Sequence, residues 1–131
     1  DDGKTWSPVK ILFRAGRMHP NVMALPNGDV VMTFIVRQDI GDDLDYASFR
    51  RGCEAIISHD NGLTWNLKEK YILDEWEFFT GPFVTYPGVG SGVMGTFCGH
   101  TCSTVLDDGS ILTAYGHYTS GGTVLIRWKP N

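Results

Sequence analysis

The sequence has no long apolar run, and none of its hydrophobic segments reaches the length needed to cross a bilayer. It also has no excess of basic residues. The 11 Lys and Arg residues are outnumbered by 15 Asp and Glu residues, which gives a formal net charge of −4, and the basic residues are scattered. These absences predict no membrane span and no nucleic-acid partner.

Cysteine is scarce, with Cys53, Cys98 and Cys102 the only three in the chain. An odd number does not suit a complete disulfide framework. The C-x-x-x-C spacing of the last two, with no paired ligands nearby, is a poor zinc signature. Buried free thiols are one interpretation, and a Cys98–Cys102 disulfide is the other if the protein is secreted. We therefore predict no metal site, and nothing in the sequence indicates a cofactor.

Helical periodicity is almost absent from the chain. Short β-rich runs are separated by Gly, Pro, Asn and Asp, which predicts an all-β fold of antiparallel strands joined by tight turns. The run at 30–36 is apolar on both faces, so its strand should be buried on both sides. The predicted strands cover residues 6–13, 21–25, 29–37, 53–59, 65–73, 101–106, 110–118 and 123–128.

Two copies of a turn motif organise the chain. Residues 58–65 read S-x-D-x-G-x-T-W, and residues 1–6 read D-x-G-x-T-W. In such a turn the Asp carboxylate accepts backbone N–H bonds, the Gly supplies a positive φ, and the Trp packs against the sheet. We interpret the motif as a folding device. Its residues are Asp1, Gly3, Thr5 and Trp6 in the first copy and Ser58, Asp60, Gly62, Thr64 and Trp65 in the second.

The spacing of the two copies predicts a repeat architecture. Asp1 and Asp60 are 59 residues apart, which suits one four-stranded propeller blade with an extended loop. About two blades are then present: 1–13 ends one blade, 19–73 is a full blade, 74–99 is a long inter-blade loop and 100–131 is a last, incomplete blade. Because the chain begins inside a motif, we expect a piece of a longer propeller. We expect an oligomer only if identical chains close the ring.

The turn motif is the Asp box. Together with the L-P-N-G-D hairpin at 25–29, the L-D-D-G-S hairpin at 106–110 and the blade spacing, it resembles the sialidase superfamily of six-bladed propellers, also called BNR-repeat proteins. Residues 54–65 and 103–114 are especially similar to exo-sialidases. The resemblance implies an exo-glycosidase that hydrolyses a terminal sugar from a glycan, and it slightly favours a secreted or periplasmic location. The alternative is a non-catalytic Asp-box propeller that binds carbohydrate or protein.

The blade topology also predicts where a site lies. Loops between second and third strands and connections between blades share the face opposite the Asp box, where the resemblance implies a sugar site. The long connections 38–52 and 74–99 both open onto that face. The strand ends that reach it carry Arg17, His19, Asn21, Arg37, Gln38, Asp39, Cys53, Glu54, His100, Thr101, Cys102, Tyr115 and His117.

The resemblance implies roles for the residues expected to bind substrate. Sialidases hold the substrate carboxylate with three arginines, and they use an Asp as acid and a Glu-activated Tyr as nucleophile. Arg37 and Arg17 match two of these arginines. Arginine suits the role because its planar guanidinium pairs bidentately with a carboxylate. We add His19, Asp39 and Trp76 to the substrate-binding set.

Two residues are the catalytic candidates. Where the family has its nucleophilic Tyr, this chain reads H-T-C-S, so we assign acid–base chemistry or a hydroxyl contact to His100. Glu54 begins a strand and could position an arginine or a base. A structural histidine and a surface cross-strand pair are the alternatives. Of Arg50 and Arg51, at most one should face the site, whereas Tyr115 should pack in the core.

Overall fold

A computed structural model of the chain describes residues 1–37, 39–41, 47–48, 50–77, 99–117 and 122–130. Within these ranges the chain forms strands and turns and no helix, which confirms the all-β prediction. Antiparallel pairing builds a four-stranded sheet in the order β1-β2-β5-β6, a three-stranded sheet in the order β7-β8-β9, and a short β3-β4 ribbon. The strands are β1 (Arg17–Ala24), β2 (Val30–Val36), β3 (Asp39–Ile40), β4 (Ala47–Ser48), β5 (Arg50–Ser58), β6 (Tyr71–Glu77), β7 (Cys102–Val105), β8 (Ile111–His117) and β9 (Gly122–Trp128).

The central strands of the four-stranded sheet are β2 and β5. They pair from Val30 opposite Ser58 to Val36 opposite Gly52. We call the first of these the Asp60 end of the sheet and the second the Arg37 end. As the apolar run at 30–36 predicted, side chains pack on both faces of β2.

One face of the four-stranded sheet packs against the three-stranded sheet. Val31, Ala55 and Ile57 form a buried cluster with Ile111 of β8, which gives the two sheets a shared apolar core. Toward the Arg37 end, the core continues with Tyr115 of β8 against Ile35 and Cys53.

Buried hydroxyl groups also join the two sheets. The hydroxyl oxygens of Thr33 and Ser103 are 2.9 Å apart, and the Ser103 hydroxyl lies 3.0 Å from that of Thr113. The amide of Ser103 donates to Asn21 Oδ1 at 3.0 Å. These bonds satisfy polar groups within the interface and fix the register of β7 against the other sheet.

The other face of the four-stranded sheet is covered by residues outside the strands. Phe34 and Ile56 form a buried cluster there, and Phe13, Trp65 and Leu67 pack against it. The sheet therefore has a core on each side, which explains why β2 and β5 lack an alternating polar face.

The strand predicted at 6–13 is wrong. These residues form no strand, and Val9 and Ile11 are exposed. A strand needs a neighbour that accepts and donates backbone hydrogen bonds, and no described strand lies beside this segment. Only Phe13, at its end, reaches the core of the four-stranded sheet.

The fourth strand begins and ends later in the chain than predicted. Strand β6 spans Tyr71–Glu77, whereas 65–73 was predicted. Asn66 causes the delay, because its side chain accepts a bond from the amide of Lys68 at 3.2 Å and its carbonyl accepts one from Glu69 at 3.3 Å, which closes a turn. Trp76 therefore belongs to a strand and not to the loop at 74–99.

The prediction that the cysteines are buried is confirmed for Cys53 and wrong for Cys102. Cys53 is buried in the core between the sheets. Cys102 is an exposed free thiol, because at the start of β7 its side chain points away from the core. Cys98 lies outside the described residues.

Candidate functional site

The Asp60 turn is closed by hydrogen bonds to the Asp60 carboxylate. Asp60 Oδ1 accepts the amide of Thr64 at 2.8 Å and the hydroxyl of Ser58 at 2.7 Å, and Oδ2 accepts the hydroxyl of Thr64 at 2.6 Å. These bonds, above all those from Thr64, lower the pKa of Asp60 to about 2. Gly62 has a φ of 82°, and Trp65 leaves the turn to pack against the sheet core.

The first copy of the motif is also closed by its Asp carboxylate, although a different backbone amide donates to it. Asp1 Oδ1 accepts the amide of Gly3 at 3.1 Å, and the Thr5 hydroxyl donates to Asp1 Oδ2. Gly3 has a φ of 77°. Trp6, however, is 87% exposed, so this copy is not anchored to a described sheet.

The two copies allow a matched stability test. Asp60→Ala should lower the melting temperature by several degrees, because it removes the bonds that hold Trp65 on the core. Asp1→Ala should have little effect, because Trp6 is exposed. The folded-state pKa of Asp60 is depressed, so its stabilisation is present above pH 4 and disappears as the pH falls toward about 2. Thermal unfolding followed by circular dichroism checks both variants. If the melting temperature did not change and sugar binding were lost, the turn would belong to the site.

The candidate residues lie away from the Asp60 turn, at the Arg37 end of the sheets. Arg17 at the start of β1 is opposite Val36 at the end of β2. Glu54 was expected to begin a strand but lies at the middle of β5, opposite Phe34, and Trp76 near the end of β6 is opposite Arg51. The three-stranded sheet brings His100 to the same end, because its neighbour Thr101 bonds to the carbonyl of His19.

Four charged side chains from β1, β3 and β5 form a buried ion network. Arg50 Nη1 donates to Glu54 Oε1 at 2.8 Å and lies 3.6 Å from Asp39 Oδ1. Arg17 approaches the same two carboxylates, at 3.4 Å from Asp39 Oδ1 and 3.6 Å from Glu54 Oε2, and donates to the carbonyl of Ile40 at 2.9 Å. Glu54 and the side chain of Arg17 are almost fully buried. The two arginines balance the charge of the two carboxylates, and Arg17 Nε, Arg50 Nη2 and Glu54 Oε2 are buried without a hydrogen bond among the described residues.

The adjacent arginines point to opposite faces, as a strand requires. Arg50 joins the ion network and also bonds Glu75 at 2.8 Å. Arg51 is fully buried, and its guanidinium donates to the carbonyls of Ser48 and Arg50 at 3.1 and 2.7 Å. The carboxylate partners of Arg50 include Asp39, which belongs to the same connection, 38–52.

Two histidines from different sheets meet at this end. The rings of His19 and His100 have centroids 4.2 Å apart at an angle of 58°. His19 has a φ of 55°, a left-handed conformation that is unusual outside glycine, and it lies within an irregularity of the β1–β2 pairing. The hydroxyl of Thr101 donates to the His19 carbonyl at 2.9 Å and holds this conformation. Partial burial, and then the charges of His100 and Arg37, lower the pKa of His19.

Arg37 follows β2 and is partly exposed. Its amide donates to the carbonyl of Gly16 at 2.7 Å, which fixes the backbone, and its Nη1 contacts the sulfur of Met18 at 3.8 Å. Arg37 therefore reaches the surface beside the histidine pair, whereas Arg17 is enclosed by the ion network.

Trp76 lies in a separate group with Tyr115 and His117, which were expected at this end, and with Asp74, which was not. Its ring is 4.2 Å from that of His117 and stacks at 11° with that of Tyr115, with centroids 6.1 Å apart. Asp74 bonds to Tyr115 and is beside His117. Tyr115 is in the core, as expected. The sequence signal for this group was the i, i+2 spacing of Asp74 with Trp76 and of Tyr115 with His117, which puts each pair on one face of its strand.

Part of the predicted site falls outside the described residues: Gln38, residues 42–46 and 49 of the connection 38–52, and residues 78–98 of the long loop. Among the residues that the structure does describe, no three His, Cys, Asp or Glu side chains are grouped so that they could hold a metal ion. The same residues include no helix long and apolar enough to span a membrane. Comparisons with protein-family models, curated proteins and solved structures gave no match to this chain.

Proposed function

We propose that the chain is part of a sialidase-type Asp-box propeller that binds a glycan at the Arg37 end of its sheets and hydrolyses a terminal sugar. The observation that carries the proposal is the placement of Arg37 beside His19 and His100 at one end of two stacked antiparallel sheets, opposite the Asp60 turn, with Trp76 in a separate group at the same end. This is the end at which the Asp-box sequence resemblance predicts a sugar site. The two sheets correspond to a full blade and the start of the next.

Arg37 is the residue that we assign to an anionic group on the sugar. It is partly exposed beside the histidine pair, and a guanidinium binds a carboxylate through two parallel hydrogen bonds. Arg17 is bound to Asp39, Glu54 and the carbonyl of Ile40, so we assign it, with Glu54, to holding the strand ends in place. The ion network is then the support of the site and not its contact surface.

The histidine pair is the candidate for proton transfer. The lowered pKa keeps the His19 ring neutral near pH 7, where it can accept a proton, while His100 is exposed and reaches the same place. In net terms the hydrolysis breaks the bond between the anomeric carbon and the leaving oxygen. The leaving oxygen gains a proton, and the oxygen of water bonds to the anomeric carbon.

A second candidate function is a non-catalytic propeller that binds carbohydrate or protein. One observation favours it: Glu54, the carboxylate expected to take part in catalysis, is buried and paired with two guanidinium groups. A carboxylate in that position cannot reach a glycosidic bond without leaving both partners. Release of free sugar from a fluorogenic glycoside decides between the two functions.

Arg37→Ala should weaken binding of a carboxylated sugar much more than binding of its neutral analogue. A charge-assisted, bidentate contact of this kind contributes about 2–4 kcal/mol when it is desolvated. Calorimetric titration of both sugars measures the difference. Arg127→Ala is the matched control, because Arg127 pairs with Asp108 in the turn between β7 and β8 at the Asp60 end. Equal losses for both sugars would remove the anionic-sugar assignment and leave a neutral-sugar glycosidase or a binding module.

A further inference from the structure

Four side chains meet where β6 of the four-stranded sheet approaches β8 of the three-stranded sheet. We call Asp74, Trp76, Tyr115 and His117 the seam cluster. The phenol of Tyr115 donates a hydrogen bond to Asp74 Oδ2, and His117 Nε2 lies 3.6 Å from the same oxygen. The Trp76 ring packs against both the Tyr115 and the His117 rings. The cluster lies at the Arg37 end, since β6 and β8 both end there.

The carboxylate of Asp74 is fixed in position and still open to solvent. Tyr115 is almost completely buried, so its bond to Oδ2 comes from a rigid part of the core. The Asp74 side chain is 31% exposed, and among the described residues none donates a hydrogen bond to Oδ1. One carboxylate oxygen is thus held by the protein while the other remains available as an acceptor.

The need to pack the two sheets together does not account for the polar composition of the seam cluster. Nearer the Asp60 end the same interface consists of the apolar Val31, Ala55, Ile57 and Ile111 together with the uncharged hydroxyl groups of Thr33, Ser103 and Thr113. A buried tyrosine hydroxyl needs one partner, and Asp74 supplies it. That need does not explain why the carboxylate also opens to solvent, or why an imidazole and an indole lie beside it.

We propose that the seam cluster is a binding subsite for an uncharged pyranose. Asp74 Oδ1 accepts hydrogen bonds from sugar hydroxyl groups, His117 provides a second polar contact, and Trp76 contacts the apolar C–H face of the ring. A few fixed polar groups beside an aromatic surface are typical of small-ligand sites. The inference rests on the proposed glycan site at the same end, and it adds that the glycan carries a neutral pyranose in addition to any sugar bound by Arg37.

Asp74→Asn tests the subsite, because it keeps the shape of the side chain and an acceptor for Tyr115 while it removes the charge. The probes are the methyl pyranosides of glucose, galactose and mannose, titrated into the full chain and followed by saturation-transfer NMR. We expect wild type to bind at least one of them and Asp74→Asn to bind it at least tenfold more weakly. Asp107→Asn, an exposed carboxylate in the turn at the Asp60 end, should leave the affinity unchanged.

The outcomes separate this inference from the proposed function. If wild type binds a carboxylated sugar through Arg37 but binds no neutral pyranoside, the subsite is overturned and the proposed function stands. The same holds if Asp74→Asn binds the pyranoside as tightly as wild type does. If Asp74→Asn melts at a lower temperature than wild type, His117→Gln is used as the test variant in its place. An unchanged affinity of His117→Gln for the pyranoside overturns the subsite. A tenfold loss in a variant that melts like wild type supports it.

Discussion

Replacing Glu54 by alanine should lower the free energy of unfolding by about 3–5 kcal/mol, because the change removes one half of a buried ion pair. Glu54 is 2% exposed and lies between Arg50 Nη1 at 2.8 Å and Arg17 Nε at 3.6 Å. Without it, the Arg17 side chain stays buried with Asp39 as its remaining carboxylate partner. Urea unfolding followed by tryptophan fluorescence measures the loss.

Glu75→Gln is the matched control for this prediction. Glu75 also bonds Arg50 at 2.8 Å, but its side chain is 58% exposed. A solvent-exposed pair contributes about 0–1 kcal/mol, so this variant should be nearly as stable as wild type. Glu54→Gln should fall between the two, because it keeps an oxygen for Arg50 and loses the charge. Similar small losses for Glu54→Ala and Glu75→Gln would mean that water screens the network and that it does not stiffen the strand ends.

Local sequence signals were sufficient for most of the strands and turns. The Asp60 turn follows from residue types at fixed spacing, because each bond in it joins residues at most four positions apart. The buried strand β2 follows from an unbroken apolar run, and the paired turns at 25–29 and 106–110 follow from Gly with Asn or Asp. Such features depend on near neighbours in the chain, which a sequence displays directly.

Contacts between distant segments of the chain were harder to predict from the sequence. Arg17 and Glu54 were placed at the same end of the sheet by topology, but their direct pairing depends on the bulge near His19 and on the irregular pairing after Cys53. Pro20 marks the first irregularity, because a proline within a strand is found mainly at edges and bulges, but it does not indicate which side chains the bulge brings together. This is why Arg17 was expected to contact substrate, whereas its guanidinium is bound within the protein.

The seam cluster escaped prediction for a related reason. Asp74 was assigned to a loop because β6 was expected to end at residue 73, and the turn at Asn66 moves the start of the strand from 65 to Tyr71 and its end from 73 to Glu77. Once β6 is placed correctly, the alternation of side chains puts Asp74 and Trp76 on one face, toward Tyr115 and His117. A small error in strand boundaries is therefore enough to conceal the contacts among these residues.

Gly52→Ala should destabilise the protein by roughly 1–3 kcal/mol, the usual range for overpacking a tight contact. A Cβ on Gly52 would lie 2.4 Å from the carbonyl oxygen of Asp74, a distance that no side-chain rotation can relieve because both groups are fixed by the backbone. Strand β6 must then move away from β5, and it carries Asp74 and Trp76 with it. Chemical unfolding measures the stability, and the indole N–H resonance of Trp76 reports the movement.

Gly122→Ala is the control for Gly52→Ala, because a Cβ there meets no described atom within 4 Å. That variant should match wild type or exceed it by up to about 1 kcal/mol, since alanine restricts the unfolded chain. If Gly52→Ala were equally stable and left the Trp76 resonance in place, β6 would not be held against β5 at Asp74. Gly52→Ala could instead lose stability and pyranoside binding together while Gly122→Ala keeps both. In that case a glycine would be required at position 52, because only a residue without a Cβ lets β6 come close enough to hold the seam cluster in position.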